Sequence, residues 1–506
     1  MKRWVLLMWL VFSTLLALAG VNPASVFTDN MVLQREMKVP VWGTAAPGEK
    51  VAVKFASQSV EAVADTAGNW RVDLAPLNTS AQPAELVITG ANSSIKCTNV
   101  LVGEVWLCSG QSNMDHTMRM LKQTEEELQA ATNYPLLRLF KVEHKTNPEH
   151  PEASVKGTWT ASTAETAGEF SGTGTYFGRA LCRELGVPVG LIHCAWGGTP
   201  AESWTSWKKL EQLPFMEDNL RDSLKRLKNY TPESAQADFD KKLAEWQQKT
   251  AAGEKVGQKP KLWNPNIDPW YPASLYNGMI APLIPAAMRG VIWYQGESNA
   301  GRHEQYRELF SAMIQNWRDV WGQGDFPFLY VQLANFMKVQ TGPVEGPSSK
   351  WPYLREAQTK TLSLTNTAMV VITDVGDAND IHPRDKKTVG ERLALAARVK
   401  AYGEKIVYSG PLCQGLEIKG DKAIVRLDHV GSGLAAKGDK LTGFAIAGED
   451  RQWHWADAQI AADTVVVSSP EVKVPAAVRY NWANNPIGNF FNKEGLPASP
   501  FRTDNW

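Results

Sequence analysis

The chain has little of what marks a protein built around a metal, a disulfide framework or a polyanion. Its 506 residues include only five cysteines, Cys97, Cys108, Cys182, Cys194 and Cys413, which are widely spaced and odd in number. That excludes a dense disulfide scaffold, leaves at least one thiol without a partner in the chain, and makes small buried hydrophobes the plainest reading of all five. No cysteine pair has CxxC spacing and no His-x-His or HExxH cluster occurs, so neither a structural nor a catalytic zinc site is expected. Excess charge is also missing: 53 basic residues face 53 acidic ones with no long run of either sign. Nucleic acid and anionic membranes therefore lose their electrostatic footprint, and a neutral or modestly charged partner fits better. Internal repeats and low-complexity tracts are lacking as well.

The one long apolar run lies at the start. Lys2 and Arg3 precede an uncharged stretch from Trp4 to Leu18, whose end overlaps Ala17-Leu18-Ala19 with the small-x-small form of a cleavage site. This predicts a cleaved export signal over residues 1–19, a secreted or periplasmic protein, and no membrane association after cleavage. The run is shorter than the ~20 residues of a spanning helix, which disfavours a permanent anchor.

What is present is ample apolar sequence, 43% of the residues, in a chain longer than one ordinary domain of roughly 100 to 200 residues. Over 20–98 short alternating segments such as Val51-Ala-Val53-Lys-Phe55 and Trp70-Arg-Val72-Asp-Leu74 are separated by turn clusters, the pattern of a small β-sandwich. From about Val100 the pattern changes. Val105-Trp-Leu107 leads to Gly110-Gln-Ser112, Val189-Gly-Leu-Ile192 to Trp196-Gly-Gly198, Val291-Ile-Trp293 to Gln295-Gly-Glu297, and Met369-Val-Val-Ile372 to Asp374. Between these buried-strand candidates lie helical stretches, one over Tyr176 to Leu185 closed by Gly186, another with Tyr306, Phe310, Met313, Trp317 and Val320 at spacings of three and four. Strands alternating with helices predict a mostly parallel sheet whose ligands gather at the carboxyl ends of the strands, where the polar turns fall. A charge-rich helical insertion is expected at about 206–270, and β-rich sequence returns over 404–506.

The turns carry the chemistry. In Gly110-Gln-Ser112-Asn-Met114 a serine sits between a strand and a helix, where its hydroxyl is exposed and its own N–H can face an oxyanion. Alone it reads as a helix cap, and the missing second glycine of a G-x-S-x-G elbow argues against an α/β-hydrolase fold. Of eight histidines, His382 is best placed to act as base, in Asp377-Ala-Asn-Asp380-Ile-His-Pro383, after a strand and before a helix from about Lys386. Asp380 is the expected orienting acid, with Asp377 and Asp374 as alternatives. His116 stays open as a neighbour of the serine. Oxyanion donors are sought in the N–H groups of Ser112 and of Gly197 or Gly198, and in the side chains of Gln295 or Asn299. Glu297 has no clear second carboxylate for glycosidase chemistry.

Taken together, Gly110-Gln-Ser-Asn-Met114, Gly197-Gly-Thr-Pro200, Trp293-Tyr-Gln-Gly-Glu-Ser-Asn299 and Asp380-Ile-His-Pro383 resemble the sialate O-acetylesterase family, a branch of the SGNH hydrolases. Asp29-Asn-Met-Val-Leu-Gln-Arg35 and the stretch from Asn492 to Arg502 are similar to the ends of such proteins, so the resemblance spans nearly the whole chain after the signal. It implies a flavodoxin-like three-layer α/β/α catalytic domain over 99–403, flanked by β-rich domains, with Ser112 as nucleophile, His382 as base, Gly197 or Gly198 with Gln295 as oxyanion donors, and no cofactor. Many SGNH enzymes carry aspartate three residues before the histidine, where Asn379 stands here. The expected partner is an acetylated carbohydrate, sialic acid first and acetylated xylan or another hemicellulose as the alternative, with Gln111, Glu297, Arg302 and Arg384 as candidate substrate contacts. A non-catalytic carbohydrate-binding protein would have no chemical reason to keep Ser112 and His382, and a lipase or thioesterase would need an apolar acyl channel that the polar motif flanks do not offer.

Overall fold

The computed structural model describes residues 20–122, 124–346 and 348–506; the expected export signal lies outside the described residues. Seven strands form the path that positions the site: β1 (Ser94–Gly110), β2 (Leu137–Lys141), β3 (Trp159–Ala161), β4 (Val189–Ala195), β5 (Gly290–Tyr294), β6 (Phe328–Val331) and β7 (Thr367–Val370). Their order across the sheet is β3-β2-β4-β1-β5-β6-β7. Every pairing is parallel except that of the edge strand β3 with β2. Five helices cover this sheet or carry residues of its carboxyl edge: α1 (Ser112–Asp115), α2 (Gly172–Leu185), α3 (His303–Trp321), α4 (Trp351–Lys360) and α5 (Lys386–Lys400).

Both faces of the parallel sheet are covered, as continuous apolar strands require. Side chains alternate along each strand, so Val105, Leu107, Val291, Trp293, Phe328 and Tyr330 share one cluster with Tyr306, Phe310, Met313 and Trp317 of α3. Trp106, Cys108, Ile292, Tyr294, Leu329 and Val331 share another with Phe177 and Leu181 of α2 and Val389 and Leu393 of α5. Gly186 and Gly322, both left-handed at φ 64° and 68°, end α2 and α3. The stripe on α3 closes with Trp321, 5% exposed, rather than Val320, which is 39% exposed; both lie within helical spacing of Trp317, and packing buried the larger side chain.

One strand crosses the expected division between residues 98 and 99. β1 runs without a break from the N-terminal β-region into the centre of the parallel sheet. Its first half pairs antiparallel with Ser80–Thr89 and parallel with Val32–Gln34. The hydrophobic core is continuous too, since Val51, Trp70 and Leu86 belong to the same cluster as Trp293. Glu104 marks the joint: fully buried, it pairs with Arg35 and Arg289 and accepts from Gln34 at 3.1 Å. A charged residue in mid-strand looks like a break in sequence, and the two arginines remove that objection.

The expected insertion contains helices Glu217–Lys228 and Pro232–Ala251, the second opened by a Thr231/Ser234 capping box. The C-terminal strands enclose a separate core that includes Val425, Phe444, Ile446, Val465 and Tyr480. They are tied to the central sheet by the fully buried Arg355 of α4, whose guanidinium donates to the carbonyls of Leu333, Ala334, Ala483 and Asn484 at 2.7 to 2.9 Å. All five cysteines are free, with Cys97, Cys108 and Cys194 buried.

Candidate active site

At the carboxyl end of β1 the chain makes a turn that only glycine permits. Gly110 has φ 137°, and a Cβ there would lie 2.2 Å from the Tyr294 carbonyl oxygen at the end of β5. The same Tyr294 oxygen accepts from the Gln111 N–H at 3.0 Å, and Gly110 O accepts from the Trp196 N–H at 3.1 Å. Three neighbouring strand ends thus fix the residue beyond Gln111, Ser112, at the start of the one-turn α1. From the other side, the N-terminal end of α2 holds the turn through Ser171 Oγ to Met114 O at 2.6 Å and Thr173 Oγ1 to Asn113 O at 3.1 Å.

His382 comes from the loop between β7 and α5, two strands away from β5. Its Nε2 lies 2.9 Å from Ser112 Oγ, the geometry in which a neutral imidazole protonated on Nδ1 accepts the serine hydroxyl. Asp380 approaches that Nδ1 with Oδ1 at 3.4 Å, while the same oxygen accepts the His382 backbone N–H at 2.8 Å. The carboxylate is 47% exposed, a looser partner than the buried acid of a tight triad. The alternatives face elsewhere: Asp374 is held bidentately by Arg392 at 2.7 Å, and Asp377 accepts from the Asn379 N–H at 2.8 Å. Burial, aided by the Lys386 charge, holds the His382 imidazole below the ordinary histidine value against the pull of Asp380. His116, at the end of α1, packs its ring on that of His382 with centroids 4.3 Å apart, and burial lowers it to about 4, which leaves it uncharged at neutral pH.

Gly197 lies directly against the serine, since a Cβ at this position would sit 3.3 Å from Ser112 Cβ. Gly198, at φ 76°, points its missing Cβ into open space. Among the described residues the N–H groups of Ser112 and Gly197 donate to no protein acceptor. The side-chain donors expected from sequence are engaged inside the protein instead. Gln295 Nε2 donates to Thr199 O at 3.2 Å and to Asn299 Oδ1 at 2.6 Å, and its Oε1 accepts from Tyr306 at 2.9 Å. Asn299 donates through Nδ2 to Glu202 at 3.0 Å and accepts the Ala201 N–H at 2.9 Å. Both amides are buried and brace the turns after β4 and β5.

Of the expected substrate contacts, two are placed inside the protein and two at its surface. Gln111 is buried, with Oε1 facing the N–H groups of Gly296 and Ser298 at 3.5 and 3.4 Å. The Glu297 carboxylate is buried and accepts from Asn113 Nδ2 at 2.7 Å; burial pushes it above the usual carboxylate range. Arg302 is 37% exposed and ion-paired with Glu202, and Arg384 is exposed. Sequence reasoning passed over Asn113 and Lys386, which meet beneath the serine: the Lys386 ammonium, fully buried, donates to Asn113 Oδ1 at 2.6 Å. Asn113 stood inside the quoted GQSNM motif, but a lysine opening a helix carries no sequence sign that it will be buried. Beside the site, His144 stacks on Trp196 at 4.1 Å, and its Nε2 is 3.0 Å from Ala195 O. Among the described residues no group of three His, Cys, Asp or Glu side chains is arranged to hold a metal ion.

A serine hydroxyl bonded to an imidazole at the carboxyl edge of a mostly parallel sheet, with free N–H groups beside it, is the arrangement of an α/β serine hydrolase. Residues 102–236 and 249–398 match the family model of carbohydrate esterases described as sialic acid-specific acetylesterases, and the chain belongs to that family of carboxylic ester hydrolases. It is 29% identical to the sialate O-acetylesterase of Rattus norvegicus, over 95% of this chain and 94% of that one. Identity with the sialate O-acetylesterase of Homo sapiens is also 29%, over 95% and 92%. Among solved structures, a carbohydrate acetylesterase from Xanthomonas citri superposes with a TM-score of 0.81 at 37% identity, covering 96% of this chain and all of that one.

Proposed function

We propose that this protein is an exported serine esterase that removes O-acetyl groups from carbohydrates, with O-acetylated sialic acid as the first substrate. The observation that carries this reading is the 2.9 Å contact between Ser112 Oγ and His382 Nε2. In the mechanism Ser112 Oγ attacks the acetyl carbonyl carbon as its proton passes to His382 Nε2. The tetrahedral oxyanion is received by the Ser112 and Gly197 N–H groups, each such donor being worth about 3 to 4 kcal/mol in the transition state. Collapse expels the sugar oxygen, which takes the proton from His382, and leaves an acetyl-serine. Water then attacks that ester, His382 accepting its proton, and acetate departs as Ser112 is regenerated. Asp380 orients the imidazole and favours its cation. The helices on both faces of the parallel sheet support an SGNH-type three-layer catalytic domain with β-rich parts before and after it.

A second substrate, acetylated xylan or another neutral hemicellulose, is favoured by one observation: Arg302, the sequence candidate for a sugar carboxylate, already has the carboxylate of Glu202. Acetate release from O-acetylated sialic acid and from acetylated xylan, measured side by side with Ser112→Ala as control, decides between them. Serine-dependent release from sialic acid supports the first reading and release from xylan alone supports the second. Equal release by the Ser112→Ala protein removes Ser112 from the mechanism, and release from neither substrate removes the esterase reading.

A further inference from the structure

The carboxamide of Asn113, one residue beyond the serine, is used completely inside the protein. Its Oδ1 accepts from Lys386 Nζ at 2.6 Å, and its Nδ2 donates to Glu297 Oε1 at 2.7 Å and to Ile381 O at 3.0 Å. Lys386 also donates to Pro383 O at 2.7 Å. Ile381 and Pro383 are the two chain neighbours of His382, so one amide and one ammonium grip the histidine loop on both flanks and bind it to the serine turn. The pieces come from three separate strand ends: Asn113 follows β1, Glu297 follows β5 and Lys386 opens α5 behind β7.

The charges are not needed for packing. Lys386 is 0% exposed, and Glu297 Oε2 is buried without a hydrogen-bond partner among the described residues. A whole buried polar pair is often replaceable by apolar side chains at no loss of stability, so stability alone does not explain why polar groups stand here. What a lysine amine on one end of a carboxamide and a carboxyl oxygen on the other do achieve is to fix its orientation: the oxygen must face the donor and the nitrogen the acceptor, which leaves one hydrogen aimed at Ile381 O. A flipped amide would lose every one of these contacts.

We propose that Glu297, Asn113 and Lys386 are positioning residues of the esterase, which hold the serine turn and the histidine loop in the register that proton transfer between Ser112 and His382 requires. This rests on the reading of Ser112 and His382 as nucleophile and base. A register error near 1 Å at such a pair costs about 100-fold in rate, whereas substrate binding is untouched because neither charge faces the cleft.

The test uses the full mature protein with Glu297→Gln, nearly isosteric, Lys386→Met and the two combined. Hydrolysis of p-nitrophenyl acetate gives kcat and KM, inactivation by phenylmethylsulfonyl fluoride reports the reactivity of Ser112 without a sugar, and thermal melting reports the fold. Each single variant is expected to lose about 10- to 100-fold in kcat with KM within about 3-fold, and the inactivation rate falls in parallel. The double variant, rid of both charges, is expected to be no worse than the poorer single one. Values of kcat and inactivation rate within about 2-fold of the parent, per folded molecule and whatever the melting temperature does, overturn the proposal. Should Lys386→Met fail to fold, Glu297→Gln decides alone. A parent protein lacking serine-dependent activity would instead sink the reading on which the proposal stands.

Discussion

Replacing Asp380 by asparagine tests how this site orients its histidine. The carboxylate is 3.4 Å from Nδ1 and nearly half exposed, and one of its oxygens is shared with the His382 backbone N–H. Its attraction for the imidazolium formed in the transition state is about 5 kcal/mol at an effective dielectric of ~20 and about 1.2 kcal/mol in water. Exposure of this degree places the pair near the aqueous limit, so a contribution of about 1 to 2 kcal/mol is expected, or about 5- to 30-fold in kcat. A buried triad aspartate is worth about 10,000-fold by comparison. The pH profile carries a sign as well. Asp380 favours the imidazolium and raises the His382 value against burial, which lowers it. The base must be neutral to work, so activity is lost as pH falls through that value, and Asp380→Asn moves this acid limb to still lower pH. The assay is kcat and kcat/KM for a small acetyl ester between pH 4 and 8 at two salt concentrations. A loss near 10,000-fold, or an acid limb that moves upward, would refute the reasoning.

The same geometry leads to three more expected outcomes. His116 is uncharged above about pH 5 and acts on His382 through ring contact; His116→Phe is expected to keep kcat within about 3-fold, while His116→Ala loses about 2- to 10-fold, the worth of an aromatic pair. Glu104→Gln leaves Arg35 and Arg289 facing each other at the joint between the N-terminal β-region and the parallel sheet, and denaturant unfolding should show about 3 to 5 kcal/mol of lost stability. Gly110→Ala forces a Cβ within 2.2 Å of Tyr294 O at a left-handed φ, so a loss of about 4 kcal/mol or more, or no soluble protein, is expected from melting and yield.

Much of the site was legible because strand-end turns announce themselves. Apolar runs closing in glycine and polar residues placed Ser112, Gly197 and His382 at one edge of a parallel sheet from sequence alone, and the structure brings Ser112 and His382 into contact. The direction of each side chain was not legible. Gln111, Gln295, Glu297 and Asn299 are polar residues in active-site turns, which is how substrate contacts look in sequence, yet all four face inward and brace one turn against the next. A rotation of one residue about a tight turn decides between cleft and interior, and composition holds no trace of it. The joint at β1 was missed for a similar reason, since Glu104 in mid-strand is acceptable only when Arg35 and Arg289 are brought to it from 69 and 185 residues away.

By itself the sequence determined the alternation of strands and helices, the caps that end them and the set of reactive residue types, because these depend on neighbours within a turn or two. Tertiary structure alone decided which buried polar group meets which partner: that Lys386 and Glu297 take opposite ends of Asn113, that Asp380 stays half in solvent, and that backbone rather than amide side chains is left free beside Ser112. Hydrogen-bond direction and burial are properties of groups brought together from distant parts of the chain, and they exist only once those parts have packed.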